Sequence, residues 1–186
     1  MRAEPNQQSA FLNPLAAYYA TCGAALPRAE AVEPADMPQP QRRLLVHSND
    51  MTPTLEAYGG QRLRLRIVHK AITGPMLTRT VSLVGLRDAR PLEFGVIRIH
   101  LDRFDQESGH LIRQCHLPLG AILRDAAIEH RSRPIGFFHL RCDPFIASAL
   151  ELTGTPPLYG RHNELIGADE RRLAQVVEIL PPWRED

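Results

Sequence analysis

The sequence lacks a surplus of positive charge. Its 186 residues include 22 basic and 21 acidic side chains, which leaves a formal net charge of +1, and only one of the basic residues, Lys70, is a lysine. A nucleic-acid-binding domain usually carries a clear basic excess, so we expect no nucleic-acid partner. The many arginines supply planar donors suited to carboxylates, although codon bias is the simpler explanation of the skew.

Long apolar runs are also missing. No stretch approaches the roughly 18 uninterrupted apolar residues that a membrane helix requires. The mildly apolar segment 10–26 is interrupted by Asn13, Pro14 and Thr21 and has no positively charged start. A secretory signal normally has such a start and a cleaner apolar centre, so we expect neither a signal peptide nor a membrane partner.

Cysteine is scarce, with Cys22, Cys115 and Cys142 widely spaced and no C-x-x-C pair. This excludes a disulfide framework and favours a reducing, cytoplasmic location. His110 and His116 flank Cys115, but no third or fourth ligand follows at a plausible spacing. We therefore expect no metal.

Prolines divide the chain into two parts. Pro27, Pro34, Pro38 and Pro40 punctuate an Ala/Glu-rich region, which is typical of a linker or loosely docked arm. We assign residues 1–42 to this arm, with one short helix over about Asn13–Cys22 ended by Gly23. Residues 43–186 form the predicted folded domain.

The domain shows alternating strands and capped helices. Thr52-Pro53 and Asp143-Pro144 are typical helix starts, Gly59-Gly60 ends the first of these helices, and residues 102–126 look helical with a break at 117–120. The predicted strands cover about 62–68, 76–84, 92–101, 135–141, 158–166 and 173–180. This order predicts an α+β fold with a single, mostly antiparallel sheet and helices packed on one side. The first strand alternates and has a basic outer face, which offers no obvious surface for self-association, so we expect a monomer or a weak homodimer.

Two charged residues occupy positions where the alternation calls for apolar ones. Arg79 is in register with aliphatic residues of the second strand, and Glu178 is in register with those of the last. A buried charge must be paired, hydrogen-bonded or shifted in pKa. One interpretation is an Arg79–Glu178 salt bridge that fixes strand register. The other is a pocket where Arg79 binds an anion and Glu178 performs acid–base chemistry.

Several short motifs occur together in a recognisable order, although each alone is weak. They are Asp50-Met51-Thr52, Leu77-Thr78-Arg79-Thr80-Val81, Pro118-Leu119-Gly120, Leu158-Tyr159-Gly160-Arg161 and Val177-Glu178-Ile179-Leu180-Pro181. In this order the chain resembles the chorismate pyruvate-lyase family, particularly its 4-hydroxybenzoate synthases outside the classical ubiquinone pathway. The resemblance runs from about Leu44 to Pro182.

The resemblance implies a carbon–oxygen lyase that converts chorismate to 4-hydroxybenzoate and pyruvate without metal or organic cofactor. It implies that Arg79 grips the ring carboxylate, that Met51 and Leu119 contribute backbone amides around it, and that Glu178 is the active-site glutamate. Arg161 follows the same glycine as a family arginine and would hold the enolpyruvyl carboxylate. A surface arginine at a strand start is an equal alternative for Arg161.

Three further interpretations stay open. A non-catalytic small-molecule-sensing domain can share this fold, and a related enzyme could release a different hydroxybenzoate. Arg131 and Arg133 could steer a dianion at the mouth of the site, but a solvated loop is the simpler interpretation. The segment 102–109 is expected to form a helical flap.

Overall fold

A computed structural model describes residues 10–183 of the chain. It contains one seven-stranded sheet in the order β1-β5-β6-β7-β4-β3-β2, and every neighbouring pair is antiparallel. The strands are β1 (Ala29–Ala31), β2 (Leu63–Thr73), β3 (Met76–Gly85), β4 (Pro91–His100), β5 (His130–Arg141), β6 (Pro157–Gly167) and β7 (Arg172–Leu180).

The sheet is assembled from two meanders, in which consecutive strands pair antiparallel. Most of the connections are short, but the one between β5 and β6 covers residues 142–156 and includes a helix. One meander is β2-β3-β4 and the other is β5-β6-β7, and the pairing of β4 with β7 joins them. In this central seam Phe94 pairs with Ile179, and Gly95 pairs with Glu178. The centre of the sheet is therefore a junction between strands that are far apart in sequence.

Helices cover both faces of the sheet. They are α1 (Leu15–Thr21), α2 (Gln41–Leu45), α3 (Met51–Gly59), α4 (Gln106–Gln114), α5 (Leu119–Asp125) and α6 (Pro144–Leu150). The apolar side chains of α2, α3, α4 and α5 pack on one face, and those of α1 and α6 pack on the opposite face. The predicted α+β class with a single antiparallel sheet is confirmed, and most of the helices share one side as expected.

Most predicted elements are confirmed, with shifts at their ends. Asp143 caps α6 as predicted, since its side chain accepts a hydrogen bond from Ile146 N at 3.0 Å. The helix expected to have Thr52 as its cap and Pro53 as its first residue begins two residues earlier, at Met51, with Asp50 in the cap position. The predicted loop at 130–134 is wrong: these residues belong to β5, where Arg131 and Arg133 form ion pairs with Glu170 and Glu164. Pro134 and the β-bulge beside it interrupt the regular alternation of a strand, which is why the sequence pattern did not indicate a strand at these residues.

The region assigned to the N-terminal arm packs closely against the domain over its described residues. Leu12 and Leu15 are fully buried in the cluster that contains Phe94, Phe138 and Ile179. Residues 29–31 add β1 to the edge of β5. The division of the chain at residue 42 stays a prediction, but a loosely docked segment does not fit these contacts. No helix within residues 10–183 is long and apolar enough to cross a membrane.

Truncating Leu15 tests how firmly this segment belongs to the core. Leu15→Ala removes a fully buried side chain, and such a change costs about 2–5 kcal/mol because of lost burial and the cavity left behind. The matched control is Leu86→Ala, since Leu86 is 57% exposed and its loss should change stability little. Urea unfolding measures both free energies, and equal values for the two variants would contradict the packing.

Candidate ligand-binding site

An internal cavity lies between the sheet and the starts of α3 and α5. Its volume is about 70 Å³, several times the roughly 10–15 Å³ that one water occupies by the same kind of measure. Most of its wall is apolar, with charged groups converging from separate elements. The lining residues are Asp50, Met51, Thr52, Leu65, Arg79, Val81, Leu83, Glu93, Gly95, Ile97, Pro118, Leu119, Gly120, Asn163, Leu165, Val176 and Glu178.

The strand registers arrange the cavity floor in rows across the sheet. Arg79 pairs with Ile97, Ile97 with Val176, and Val176 with Asn163. The next row, two residues along each strand, runs from Val81 through Gly95 and Glu178 to Arg161. In the third row Leu83 pairs with Glu93. Rows are about 7 Å apart and adjacent strands about 4.8 Å apart, so the arginine and the carboxyl groups lie toward different ends of the floor.

Arg79 is a buried cation without an acidic partner. It is 2% exposed, and burial lowers the pKa of its guanidinium. Its Nη1 donates a long hydrogen bond to the carbonyl of Leu117 at 3.4 Å, and the Cys115 side chain opposes the lowering of its pKa, while Nε has no partner in the described part of the chain. An unpaired charge in an apolar wall is unfavourable unless something compensates it, so this side chain is poised for an anion.

Glu178 is held in an ion pair with Arg161 rather than with Arg79. Both side chains are buried, at 5% and 0% exposure, and Arg161 Nε donates to Glu178 Oε2. Arg161 Nη1 donates to the carbonyls of Leu45 at 3.2 Å and His47 at 3.0 Å, and Nη2 donates to the carbonyl of Asn49 at 3.3 Å. Arg161 thus anchors the segment before α3 and orients Glu178 toward the cavity.

A second carboxyl group, which the sequence analysis missed, lies in the same cavity. Glu93 is 4% exposed, and its Oε2 has no hydrogen-bond partner among residues 10–183. Burial, followed by the nearby charge of Glu178, raises the pKa of Glu93 well above its ordinary value, and Arg161 opposes this effect. The environment of Glu93, next to a paired carboxylate, therefore favours its protonated form.

Polar atoms also line the roof of the cavity. Met51 and Leu119 are the first residues of α3 and α5, and backbone amides in the first turn of a helix have no partner within the helix. Asp50, just before α3, lies 3.1 Å from His130 Nε2. This contact is the largest cause of a raised pKa at His130. Asp50 also lines an open outer groove, so it separates the internal cavity from solvent.

The structure brings four of the five predicted site residues to one cavity: Met51, Arg79, Leu119 and Glu178. The fifth, Arg161, lies behind the wall and is already occupied by Glu178 and backbone carbonyls. Their roles toward a ligand stay predictions. Asn163 was also missed. Its amide nitrogen donates to Ser132 Oγ at 2.8 Å, and its oxygen has no hydrogen-bond partner within residues 10–183.

Other candidates lie elsewhere. The segment expected to be a flap forms a 3-10 turn (Leu101–Arg103) and α4, and it does not line the cavity. Across the described ranges, no group of three or more His, Cys, Asp or Glu side chains is arranged to hold a metal ion.

Comparisons with known proteins agree on the fold. No family model and no curated protein sequence matches the chain, but solved structures do. PhnF from Mycobacterium smegmatis aligns with a TM-score of 0.57 and 13% identity over 74% of this chain and 65% of that chain. Its effector domain alone aligns with a TM-score of 0.55 and 13% identity, over 72% of this chain and 88% of that domain.

A third match is the ligand-binding domain of a putative GntR-family transcriptional regulator from Bordetella bronchiseptica. It aligns with a TM-score of 0.50 and 14% identity over 67% of this chain and 91% of that chain. The fold is chorismate lyase-like. The sequence identity between this chain and these domains, 13–14%, establishes a common fold alone. Neither lyase activity nor regulation follows from the comparison. The chain spans just under two thirds of full-length PhnF.

Opposite stability effects should distinguish the two buried arginines. Arg79→Met should raise the free energy of unfolding by about 1 kcal/mol or more, because it replaces an unpaired buried charge with an apolar side chain. Arg161→Met should lower it by about 3–5 kcal/mol, because Glu178 would be left buried and unpaired. Urea unfolding measures both values. A comparable loss in both variants would mean that Arg79 supports the fold rather than a ligand.

Proposed function

We propose that the cavity binds a small ring carboxylate and that the protein is a chorismate pyruvate-lyase, releasing 4-hydroxybenzoate and pyruvate. The observation that carries this proposal is the presence of an uncompensated cation, Arg79, and two carboxyl groups, Glu93 and Glu178, around one cavity. The resemblance of the sequence motifs to the lyase family names the substrate.

The arrangement of charges suits such a ligand. The carboxylate would receive charge-assisted hydrogen bonds from Arg79 and from the backbone amides that begin α3 and α5. The ring would lie over Val81, Ile97 and Val176, beside Gly95, whose lack of a side chain leaves room for the Glu93 carboxyl group. The opposite end of the ligand would then reach the carboxyl groups, which is where the hydroxyl and enolpyruvyl substituents of chorismate lie relative to its ring carboxylate.

The reaction requires little beyond positioning and proton transfer. Loss of the proton on the ring carbon that bears the hydroxyl accompanies cleavage of the neighbouring carbon–oxygen bond, and the departing enolpyruvate gains a proton to become pyruvate. Aromatisation makes the step strongly favourable. Glu178, held ion-paired by Arg161, would accept the ring proton. A suitably placed acid or base contributes about 10²–10⁴-fold in rate.

A second candidate is a non-catalytic sensing domain for the same kind of ligand. It is favoured by the structural neighbours, which include the ligand-binding domain of a transcriptional regulator. It is also favoured by the contacts of Arg161, which already binds Glu178 and the carbonyl of His47. Chorismate has two carboxylates, but only Arg79 is then left as a free cation at the described cavity. Binding of an aromatic monocarboxylate needs only Arg79.

One assay separates these two functions. Purified full-length protein is incubated with chorismate, the aromatic product is identified by chromatography, and pyruvate is followed with lactate dehydrogenase. The lyase proposal expects stoichiometric 4-hydroxybenzoate and pyruvate. Binding of 4-hydroxybenzoate in calorimetry without any turnover of chorismate would instead establish the sensing domain, and a different hydroxybenzoate would identify a related enzyme.

Two substitutions test the assigned roles. Glu178→Gln should lower kcat by about 10²–10⁴-fold with little change in KM, because it removes the proton acceptor but keeps the shape. Arg79→Met should raise KM sharply and abolish 4-hydroxybenzoate binding, because the anion loses its counter-charge. Arg64→Met, at an exposed position of β2, is the control that should behave as wild type. Wild-type turnover by Glu178→Gln would contradict its role.

A further inference from the structure

We infer that Glu93 is the general acid of this site: it protonates the oxygen of the departing enolpyruvyl group while Glu178 accepts the ring proton. This inference rests on the proposed lyase function and assigns the second proton transfer, which neither the sequence motifs nor the resemblance provides.

The position of Glu93 carries the inference. Its side chain folds over Gly95, since a Cβ built on that glycine would lie 2.8 Å from Glu93 Oε1. Gly95 is directly opposite Glu178 in the β4–β7 pairing. The two carboxyl groups therefore flank the one position of the floor that has no side chain. A ligand bound beside Gly95 would contact both of them.

The surroundings of Glu93 have no structural use for an acid. Its Oε2 is buried without a hydrogen-bond partner in the described structure, and Arg161, the cation whose charge acts on Glu93, is committed to Glu178. A buried polar group that satisfies nothing in the fold costs free energy, and such costs concentrate at functional sites. Glu93 is one of the residues that line the cavity, so a ligand there can contact its side chain.

The surroundings also favour different protonation states for the carboxyl groups of Glu93 and Glu178. Arg161 holds Glu178 in an ion pair, while burial and Glu178 raise the pKa of Glu93. Arg79 and Asp50 are the other charged groups that line the cavity, from β3 and from the start of α3. Pairs of carboxyl groups whose environments push their pKa values apart are a recurrent arrangement for acid–base catalysis.

The proposed step balances in atoms and charge. Glu178 takes the proton from the hydroxyl-bearing ring carbon, and the electron pair of that bond forms the new ring double bond. The ring carbon–oxygen bond breaks as Glu93 delivers its proton to the leaving oxygen. The products are 4-hydroxybenzoate and the enol of pyruvate, which tautomerises to the keto form. A proton then passes from Glu178 to Glu93 and restores the starting state.

Glu93→Gln tests this role because glutamine resembles the protonated acid but cannot deliver a proton. We expect kcat to fall about 10²–10⁴-fold, with 4-hydroxybenzoate affinity within about twofold of wild type. In the wild type, kcat/KM should decline at alkaline pH as Glu93 loses its proton, and this decline should be absent in the variant. Glu93→Asp keeps the acid and should retain the alkaline decline at a lower rate.

A stability measurement confirms that the variant is folded. Because the pKa of Glu93 is raised in the folded state, its contribution to stability is complete below its unfolded pKa and is lost as pH rises through the folded value. Glu93→Gln should therefore match wild type in melting temperature near pH 4 and exceed it increasingly toward pH 8. The matched control is Glu164→Gln, which alters a buried glutamate outside the cavity and should keep the alkaline decline.

The possible failures are distinguishable. If the wild type does not convert chorismate, the proposed function and the role of Glu93 both fall. If the wild type converts it and folded Glu93→Gln does so at the same rate, only the role of Glu93 is wrong. A variant that loses 4-hydroxybenzoate binding in parallel with turnover would overturn the general acid and make Glu93 a ligand-positioning group.

Discussion

The guanidinium of Arg79, buried without a carboxylate to balance it, is the constraint around which the site is built. Two acids are available on the same face of the sheet, yet neither pairs with it. Arg161 binds Glu178 from the adjacent strand, and burial raises the pKa of Glu93, which disfavours its charged form. Because neither carboxyl group forms an ion pair with Arg79, its guanidinium remains free to bind an incoming anion.

Alternation along the strands was enough to predict the sheet and to single out Arg79 and Glu178, since each interrupts an apolar face. The motifs added Met51 and Leu119. Glu93 could not be found in this way, because it directly follows a predicted turn in a strand that is buried on both faces. The partner of Glu178 was also hidden, since cross-strand neighbours follow from the register of β6 against β7, which no local pattern specifies.

The same architecture can serve an enzyme or a sensor because both need a dry cavity with one fixed counter-charge. What separates them is the chemistry available beyond the carboxylate. Here the bare backbone at Gly95 brings two carboxyl groups of different protonation to the same point. A sensor would need neither the second carboxyl group nor its suppressed ionisation, and both are costly to bury.

The central seam of the sheet has a mechanical consequence. Arg79 and Glu93 belong to one meander and Glu178 to the other, so a molecule held between them ties together chain segments that are joined edge to edge only by β4 and β7. Ligand binding in the cavity is therefore linked to the stability of the sheet, because the ligand must dissociate before the two meanders can separate. A saturating ligand that contacts both meanders therefore raises the free energy of unfolding.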